Sequence, residues 1–283
     1  MRAGLLRLVL ILLLLPAAAR AADAEFTTSD GVKLHVIQAG RSGQNTIVFV
    51  PGWTMPAWIF QPQIEYFATQ YHVVALDPRG QGESEIAPSG YDHLRRGQDI
   101  AELIAGLGNP KVLLVGWSLG VLDSLAYVQQ YGDSQLAGLV LIDNSVGEDP
   151  PPVASRVPAV RGPRLGREAQ MRRFVRGMFV HSPGEYYLER LTEAALRTPP
   201  EAAAALSSYP VPRTYWRDAI YSVNKPILYV VRPRFLGQAR NLVTKHPMAE
   251  AELFAAAGHA LFVDEAARFD LLLQNFITRR VWP

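Results

Sequence analysis

The stretch Lys111–Gly120, KVLLVGWSLG, decides the reading of this chain, because a short apolar run passes directly into Gly116-Trp117-Ser118-Leu119-Gly120. Val112, Leu113, Leu114 and Val115 make a continuous branched run of the kind that fills a strand buried on both faces. Leu119, Leu122, Leu125 and Ala126 then fall at helical spacing. A serine with glycine two residues to either side, placed between strand and helix, marks a crowded turn that holds the hydroxyl out at the end of a sheet. Ser118 is the candidate nucleophile, and a structural turn serine is the alternative reading.

Working outward, Thr46–Val50, Val73–Leu76 and Leu139–Ile142 are further short apolar runs, separated by helical patterns. Ala24–Ala39 reads as a hairpin around Ser29-Asp30-Gly31. Ile100, Leu103, Ile104 and Leu107 form one helix face, which Gly108-Asn109-Pro110 should stop. The alternation predicts an α/β fold with a mostly parallel sheet and helices on both faces. Two late strands, Ile227–Val231 and Ala251–Phe254, come only after a long interval rich in Pro, Arg and aromatic residues. That interval is too long for a plain crossover and reads as a cap, giving core segments 22–144 and 225–283 with a cap insertion at 145–224.

The first 21 residues combine Arg2 and Arg7, an apolar run over Leu8–Leu15, Pro16 and the cleavage-like Ala19-Arg20-Ala21. This is the form of a secretory signal peptide, so the expected location is periplasmic or secreted, with an uncleaved N-terminal anchor as the alternative. The run is too short for an ordinary membrane span, which takes about 20 apolar residues. Removal would take three of the 28 basic residues and none of the 26 acids, leaving 25 against 26 and a net charge of −1. Near-neutral charge gives no basic stripe for nucleic acid. With no cysteine, the chain forms no disulfide and carries no lipidated cysteine. Scattered histidines and the missing cysteines suggest no metal cluster. Oligomeric state is not legible.

Four blocks in order resemble the α/β-hydrolase family: Val50-Pro51-Gly52-Trp53, Asp77-Pro78-Arg79-Gly80-Gln81-Gly82-Glu83-Ser84, the Gly116–Gly120 turn, and Gly258-His259-Ala260-Leu261-Phe262. The resemblance covers nearly all of the chain after residue 21. It implies the α/β-hydrolase fold, an inserted helical cap, serine-hydrolase chemistry without a cofactor, and oxyanion donors at the backbone amides of Trp53 and Leu119. Asp77, Arg79 and Ser84 are expected to hold their turn together. The usual His-Gly of the oxyanion loop is Pro51-Gly52 here, and proline removes a donor only at its own nitrogen.

A serine hydroxyl needs a base within hydrogen-bond reach. Among six histidines, His259 alone lies on a loop past a late strand, after a glycine and before a helix-forming run. His93, His181 and His246 sit in polar or proline-flanked stretches and read as solvated. The acid departs from the family pattern, in which it follows the penultimate strand: from Lys225 to Ala249 there is no Asp or Glu. Some members place it one strand earlier, where Asp143 ends LVLID, and Asp143 is the preferred acid. Glu148, Asp149, Asp264 and a weakened or absent acid are the alternatives. Asp264 otherwise reads as the cap of the final helix.

Phe60, Ile64 and Phe67 read as a packed helix face, while Trp53, Trp58 and Trp117 are candidates for an apolar wall. Seven arginines between Arg156 and Arg176 read as a solvated face, with an anionic substrate or membrane surface as the alternative. The expected activity is hydrolysis of an ester, thioester or lactone through an acyl-enzyme, with a small-molecule acyl substrate as the partner. A carbon–carbon bond hydrolase, a cofactor-free perhydrolase or haloperoxidase-like enzyme, and a non-catalytic binding protein are the other readings. Serine at the elbow argues against haloalkane dehalogenases and epoxide hydrolases, whose family position carries an aspartate.

Overall fold

A computed structural model describes residues 21–108, 111–152, 165–207 and 209–283. The expected leader, except Ala21, lies outside the described residues, as do Asn109, Pro110, Arg156, Arg161 and Arg164. Among these residues eight strands form one sheet: β1 (Ala22–Thr27), β2 (Lys33–Ala39), β3 (Thr46–Val50), β4 (His72–Leu76), β5 (Val112–Trp117), β6 (Leu136–Ile142), β7 (Ile227–Val231) and β8 (Ala249–Leu253). Their spatial order is β1-β2-β4-β3-β5-β6-β7-β8. The pairs β1/β2 and β2/β4 are antiparallel and the rest parallel. This is the α/β-hydrolase architecture expected from the sequence.

Successive side chains of a strand point to opposite faces, so each buried strand feeds two cores. From β3 and β5, Ile47, Phe49, Leu113 and Val115 enter one core, while Val48, Val50, Val112 and Leu114 enter the other. The first is covered by α1 (Gln61–Phe67) and α10 (Ala266–Phe276), through Ile64, Phe67, Phe269 and Phe276. Phe60, which ends the short 3-10 turn before α1, joins them, so Phe60, Ile64 and Phe67 do pack as core. Each such aromatic contributes roughly 1.5–3 kcal/mol by leaving water. The second core lies under α2 (His93–Gly106), α3 (Leu119–Tyr131) and α8 (Leu236–Lys245). Asp92 caps α2 by accepting from the amides of Leu94 and Arg95 at 2.9 and 3.0 Å, and Gly108 beyond its end has φ +65°.

Between β6 and β7 the chain makes a helical excursion: α4 (Arg167–Arg176), α5 (Glu185–Arg197), α6 (Pro200–Leu206) and α7 (Arg213–Tyr221). α7 packs on the second core through Trp216, Ala219 and Ile220. Met171, Val175, Leu188 and Leu191 of α4 and α5 join the first. The arginines of α4 lie on its solvent side, where Arg172 pairs with Glu168 at 3.2 Å and Arg176 with Glu185. Among the described residues no helix is long and apolar enough to cross a membrane.

Two histidines read as solvated are in fact buried. His93 packs against Tyr209, Tyr215 and Trp216, and His246 against Tyr221, because α7 and the residues before it fold onto α2 and α8. His181 is exposed as expected.

One buried carboxylate makes the fold pH-sensitive. Asp270 on α10 is 5% exposed, and burial pushes its carboxyl up to about 6 from an ordinary 3.8, although Gln63 donates to it at 2.9 Å and pulls the other way. Because the folded carboxyl holds its proton more tightly than the unfolded one, its contribution to stability is full below pH 3.8 and is lost as pH rises through about 6. Asp270→Asn keeps an acceptor for Gln63, so it should be more stable than the parent by roughly 2 kcal/mol at pH 8, with the gain vanishing near pH 4. Denaturant unfolding at both pH values checks this, and an equal gain at both would refute it.

Candidate active site

The elbow is built by close contact. A Cβ on Gly120 would stand 2.2 Å from the carbonyl oxygen of Val50, and one on Gly116 would stand 2.3 Å from that of Gly120. Both positions therefore need glycine. The residue between them, Ser118, takes φ +54° and ψ −118°, a strained conformation for a residue with a side chain. Its amide donates to Ile142 O at 2.9 Å, which ties the elbow to the end of β6.

The next residue along β6 is Asp143, also at positive φ (+51°), with its amide bonded to Val230 O at 2.9 Å. His259 arrives from the loop after β8. Its Nε2 lies 2.8 Å from Ser118 Oγ and its Nδ1 lies 2.6 Å from Asp143 Oδ2. The structure thus brings together three side chains that are far apart in sequence, in the order hydroxyl, imidazole, carboxylate. Trp117 fixes the histidine loop from below: it is 1% exposed, donates through Nε1 to His259 O at 2.8 Å, and packs edge-on against Phe262. This corrects its assignment to an apolar wall, because the strand side chain before the elbow points into the core.

Glu148, Asp149 and Asp264 do not reach the histidine. Glu148 is buried against Lys245 and Tyr221, and Asp149 faces Arg213 at 3.4 Å. Asp264 does not cap the last helix. It accepts from the amides of Gly258 at 2.6 Å and Val180 at 2.8 Å, because the loop carrying His259 folds back over its own C-terminal end. It therefore ties that loop to the excursion, as does the bond from Ala260 N to Met178 O at 3.0 Å.

Arg232 was not legible as part of the site. It directly follows β7, where the family's usual acid stands, and closes on Asp143 beside His259, its Nε sharing Oδ2 with the imidazole. Its amide donates to Oδ1 at 3.1 Å and its Nε to Oδ2 at 2.5 Å. Burial of Asp143 would raise its pKa, but the hydrogen bond from His259 and the Arg232 guanidinium outweigh that and hold the carboxyl below the ordinary range. A carboxylate that stays ionised can fix the imidazole tautomer with hydrogen on Nδ1, which leaves Nε2 free to accept the serine proton. The signal that was available in the sequence is an arginine in a segment otherwise empty of acids.

The two amides expected to face an oxyanion are unengaged. Among the described residues neither Trp53 N–H nor Leu119 N–H donates a hydrogen bond. Leu119 is the first residue of α3, where an amide has no partner within the helix. A Cβ on Gly52 would stand 2.9 Å from Ser118 Cβ, so the loop carrying Trp53 runs directly over the elbow. The Trp53 indole donates to Ala203 O of α6 at 2.7 Å and meets Phe174 edge-on, while Trp58 meets Tyr187 and lies under Arg190. Behind this, the Asp77–Ser84 turn is held as expected. Asp77 takes His35 Nδ1 at 2.8 Å, and Arg79 pairs doubly with Asp99 at 2.7 and 2.8 Å. No group of three His, Asp or Glu residues among the described ones could hold a metal.

The model of a family described as the alpha/beta hydrolase family matches residues 47–270. A soluble epoxide hydrolase from Corynebacterium sp. (strain C12) is 32% identical over 113 residues, 40% of this chain and 38% of that one. A non-heme haloperoxidase from Rhodococcus erythropolis is 33% identical over 117 residues, 41% of this chain and 42% of that one. The chain thus aligns with less than half the length of these curated relatives. The esterase RhEst1 from Rhodococcus sp. ECU1013 shares the fold, with a TM-score of 0.76 at 22% identity over 91% of this chain and 99% of that one. Because the family model spans most of the sequence and every block that builds the elbow and the histidine loop, this chain belongs to the alpha/beta hydrolase family.

Proposed function

We propose that this protein is a serine hydrolase that cleaves an ester, thioester or lactone through an acyl-enzyme. The observation that carries the reading is the unbroken relay from Ser118 Oγ to His259 Nε2 at 2.8 Å and from His259 Nδ1 to Asp143 at 2.6 Å. In this reading Ser118 Oγ attacks the substrate carbonyl as His259 Nε2 takes its proton. Asp143 stabilises the imidazolium without accepting its proton. Negative charge on the carbonyl oxygen is met by the Trp53 and Leu119 amides, and such donors are usually the largest single contribution to lowering the barrier. His259 then protonates the leaving group. Water, deprotonated by the same nitrogen, releases the acid and restores Ser118.

The excursion over residues 145–224 supplies the cap in this account, with Trp53, Phe174 and Ala203 where it meets the oxyanion loop. The N-terminal pattern of residues 1–21 makes the enzyme an exported one, in the periplasm or outside the cell. Its partner is a small acyl compound rather than nucleic acid. Serine at the elbow weighs against opening an epoxide through an ester of the protein's own carboxylate. The likeness to a non-heme haloperoxidase supports a second reading on the same residues, in which hydrogen peroxide replaces water in releasing the acyl group as a peracid.

A p-nitrophenyl ester series from acetate to long acyl chains, offered to the protein starting at Ala22, tests the proposal. The expected result is turnover that saturates and prefers one chain length. Absence of turnover with every ester and with thioester and lactone analogues would overturn it.

A further inference from the structure

The oxyanion donors are two backbone amides, and a backbone amide can be aimed only by turning its whole peptide. In a trans peptide the C=O and N–H lie in one plane and point in opposite directions, so the group that holds the carbonyl also aims the N–H. The peptides 52–53 and 118–119 are both trans. In each, a side-chain amide, fully buried for Gln81 and half-buried for Asn144, shares the carbonyl with a main-chain N–H. Gln81 Nε2 donates to Gly52 O at 2.9 Å beside the Met55 N–H at 3.1 Å, and Asn144 Nδ2 donates to Ser118 O at 2.8 Å beside the Val121 N–H at 3.0 Å.

Gln81 is the more firmly held of the two. It is 0% exposed, and its second Nε2 hydrogen goes to Met55 O at 2.8 Å, so it spans the turn that carries Trp53. Its own orientation is fixed by charge. Arg96, 1% exposed, donates through Nη1 to Gln81 Oε1 at 3.0 Å. An amide turned the other way would set its NH2 against a guanidinium and its oxygen against two carbonyls. Arg96 is held in turn by Asp123 of α3, through Nε at 2.9 Å and Nη2 at 2.6 Å, and Tyr209 OH donates to the other oxygen of Asp123 at 2.6 Å. The line Tyr209–Asp123–Arg96–Gln81 ends on the oxyanion loop and touches none of the three relay side chains.

We infer that Gln81, oriented by the buried Arg96–Asp123 pair, is the positioning residue of the oxyanion hole, with Asn144 doing the same for its second donor. The inference rests on the serine-hydrolase reading above. Gln81 touches no substrate, and its effect passes through the direction of the Trp53 N–H. That direction matters only once charge has developed on the carbonyl oxygen, so loss of the grip should lower kcat and leave KM nearly unchanged.

The test compares the parent protein with Gln81→Met, which keeps the volume and loses both donors, and with Gln81→Glu, which keeps the partner for Arg96 but turns an oxygen on Gly52 O. Ester turnover is measured beside inhibition by an aryl trifluoromethyl ketone, whose adduct with serine carries the oxyanion, and by the product carboxylate, which carries no tetrahedral centre. The expected result is a fall in kcat of roughly 10- to 100-fold in both variants, KM within about threefold, and a matching loss of affinity for the ketone but not for the product. Near-parental kcat in a folded variant, or equal loss of affinity for ketone and product, would overturn the inference while leaving the hydrolase reading intact. No serine-dependent turnover in the parent would overturn both.

Discussion

Ser118→Ala and His259→Ala should each lower kcat for a p-nitrophenyl ester by roughly 10⁴- to 10⁶-fold, and the double variant should be little worse than either single one. The non-additivity is the informative part. With the two side chains 2.8 Å apart, the hydroxyl is a nucleophile only while the imidazole can take its proton, so removing either group removes the same step. Each change should leave the fold intact: Ser118 and Asp143 are held by their own main-chain bonds to β6 and β7, and the histidine loop by Trp117 and Asp264. Thermal melting beside the kinetic assay checks this. Losses in the two single variants that simply add in the double one would show that the groups do not act as a unit.

Asp143→Asn should cost about 10⁴-fold in kcat at neutral pH. His259 Nδ1 and Arg232 Nε share Oδ2 while Oδ1 takes the Arg232 amide, so an asparagine in this place must set its NH2 against a donor on one side or the other. If the NH2 takes the place of Oδ2, it meets His259 Nδ1 and imposes the tautomer with hydrogen on Nε2, the nitrogen that must accept the serine proton, and it also faces Arg232 Nε. If it turns round, the NH2 meets the Arg232 main-chain N–H, another donor, and the negative charge is lost in either case. The uncompensated cation beside the imidazole, with Arg232 Nη2 3.5 Å from His259 Nδ1, further disfavours the imidazolium formed during reaction. Asp143→Asn/Arg232→Met removes that cation and should recover part of the loss. A folded Asp143→Asn protein with near-parental turnover would place the acid elsewhere.

How much of this was legible follows from how local each feature is. The elbow is steric and local: Gly116 and Gly120 are required by carbonyls within 3 Å of where their Cβ would lie, and five consecutive residues report it. The parallel strands were legible because a strand buried on both faces has few residue types to use, and the observed strands begin or end within a few residues of the apolar runs. His259 was legible from its place after a late strand, although it meets a serine 141 positions earlier. Asp143 could be reached only by elimination, since its contact with His259 spans 116 residues and nothing in LVLID itself distinguishes a relay acid from a loop cap.

What sequence reading missed is long-range. Asp264 precedes a helix and looks like its cap, but the 258–264 loop turns the carboxylate back onto Gly258. His93 and His246 lie in polar stretches and are buried by aromatic residues from a helical excursion more than 100 positions later in one case and about 25 earlier in the other. Gln81 lies inside Asp77–Ser84, and its grip on Gly52 depends on Arg96, which depends on Asp123. Such chains of polar contacts leave no periodic trace, because each member is fixed by a partner on a different element.

The most direct test of the central claim is covalent. The protein from Ala22 onward would be treated with a fluorophosphonate, digested and mapped by mass spectrometry, beside Ser118→Ala and His259→Ala. The account predicts one adduct on Ser118 in the parent, none in Ser118→Ala, and labelling slowed by several orders of magnitude in His259→Ala, where the hydroxyl remains but its base is gone. No adduct on a folded parent protein, an adduct on another residue, or labelling indifferent to His259 would contradict it.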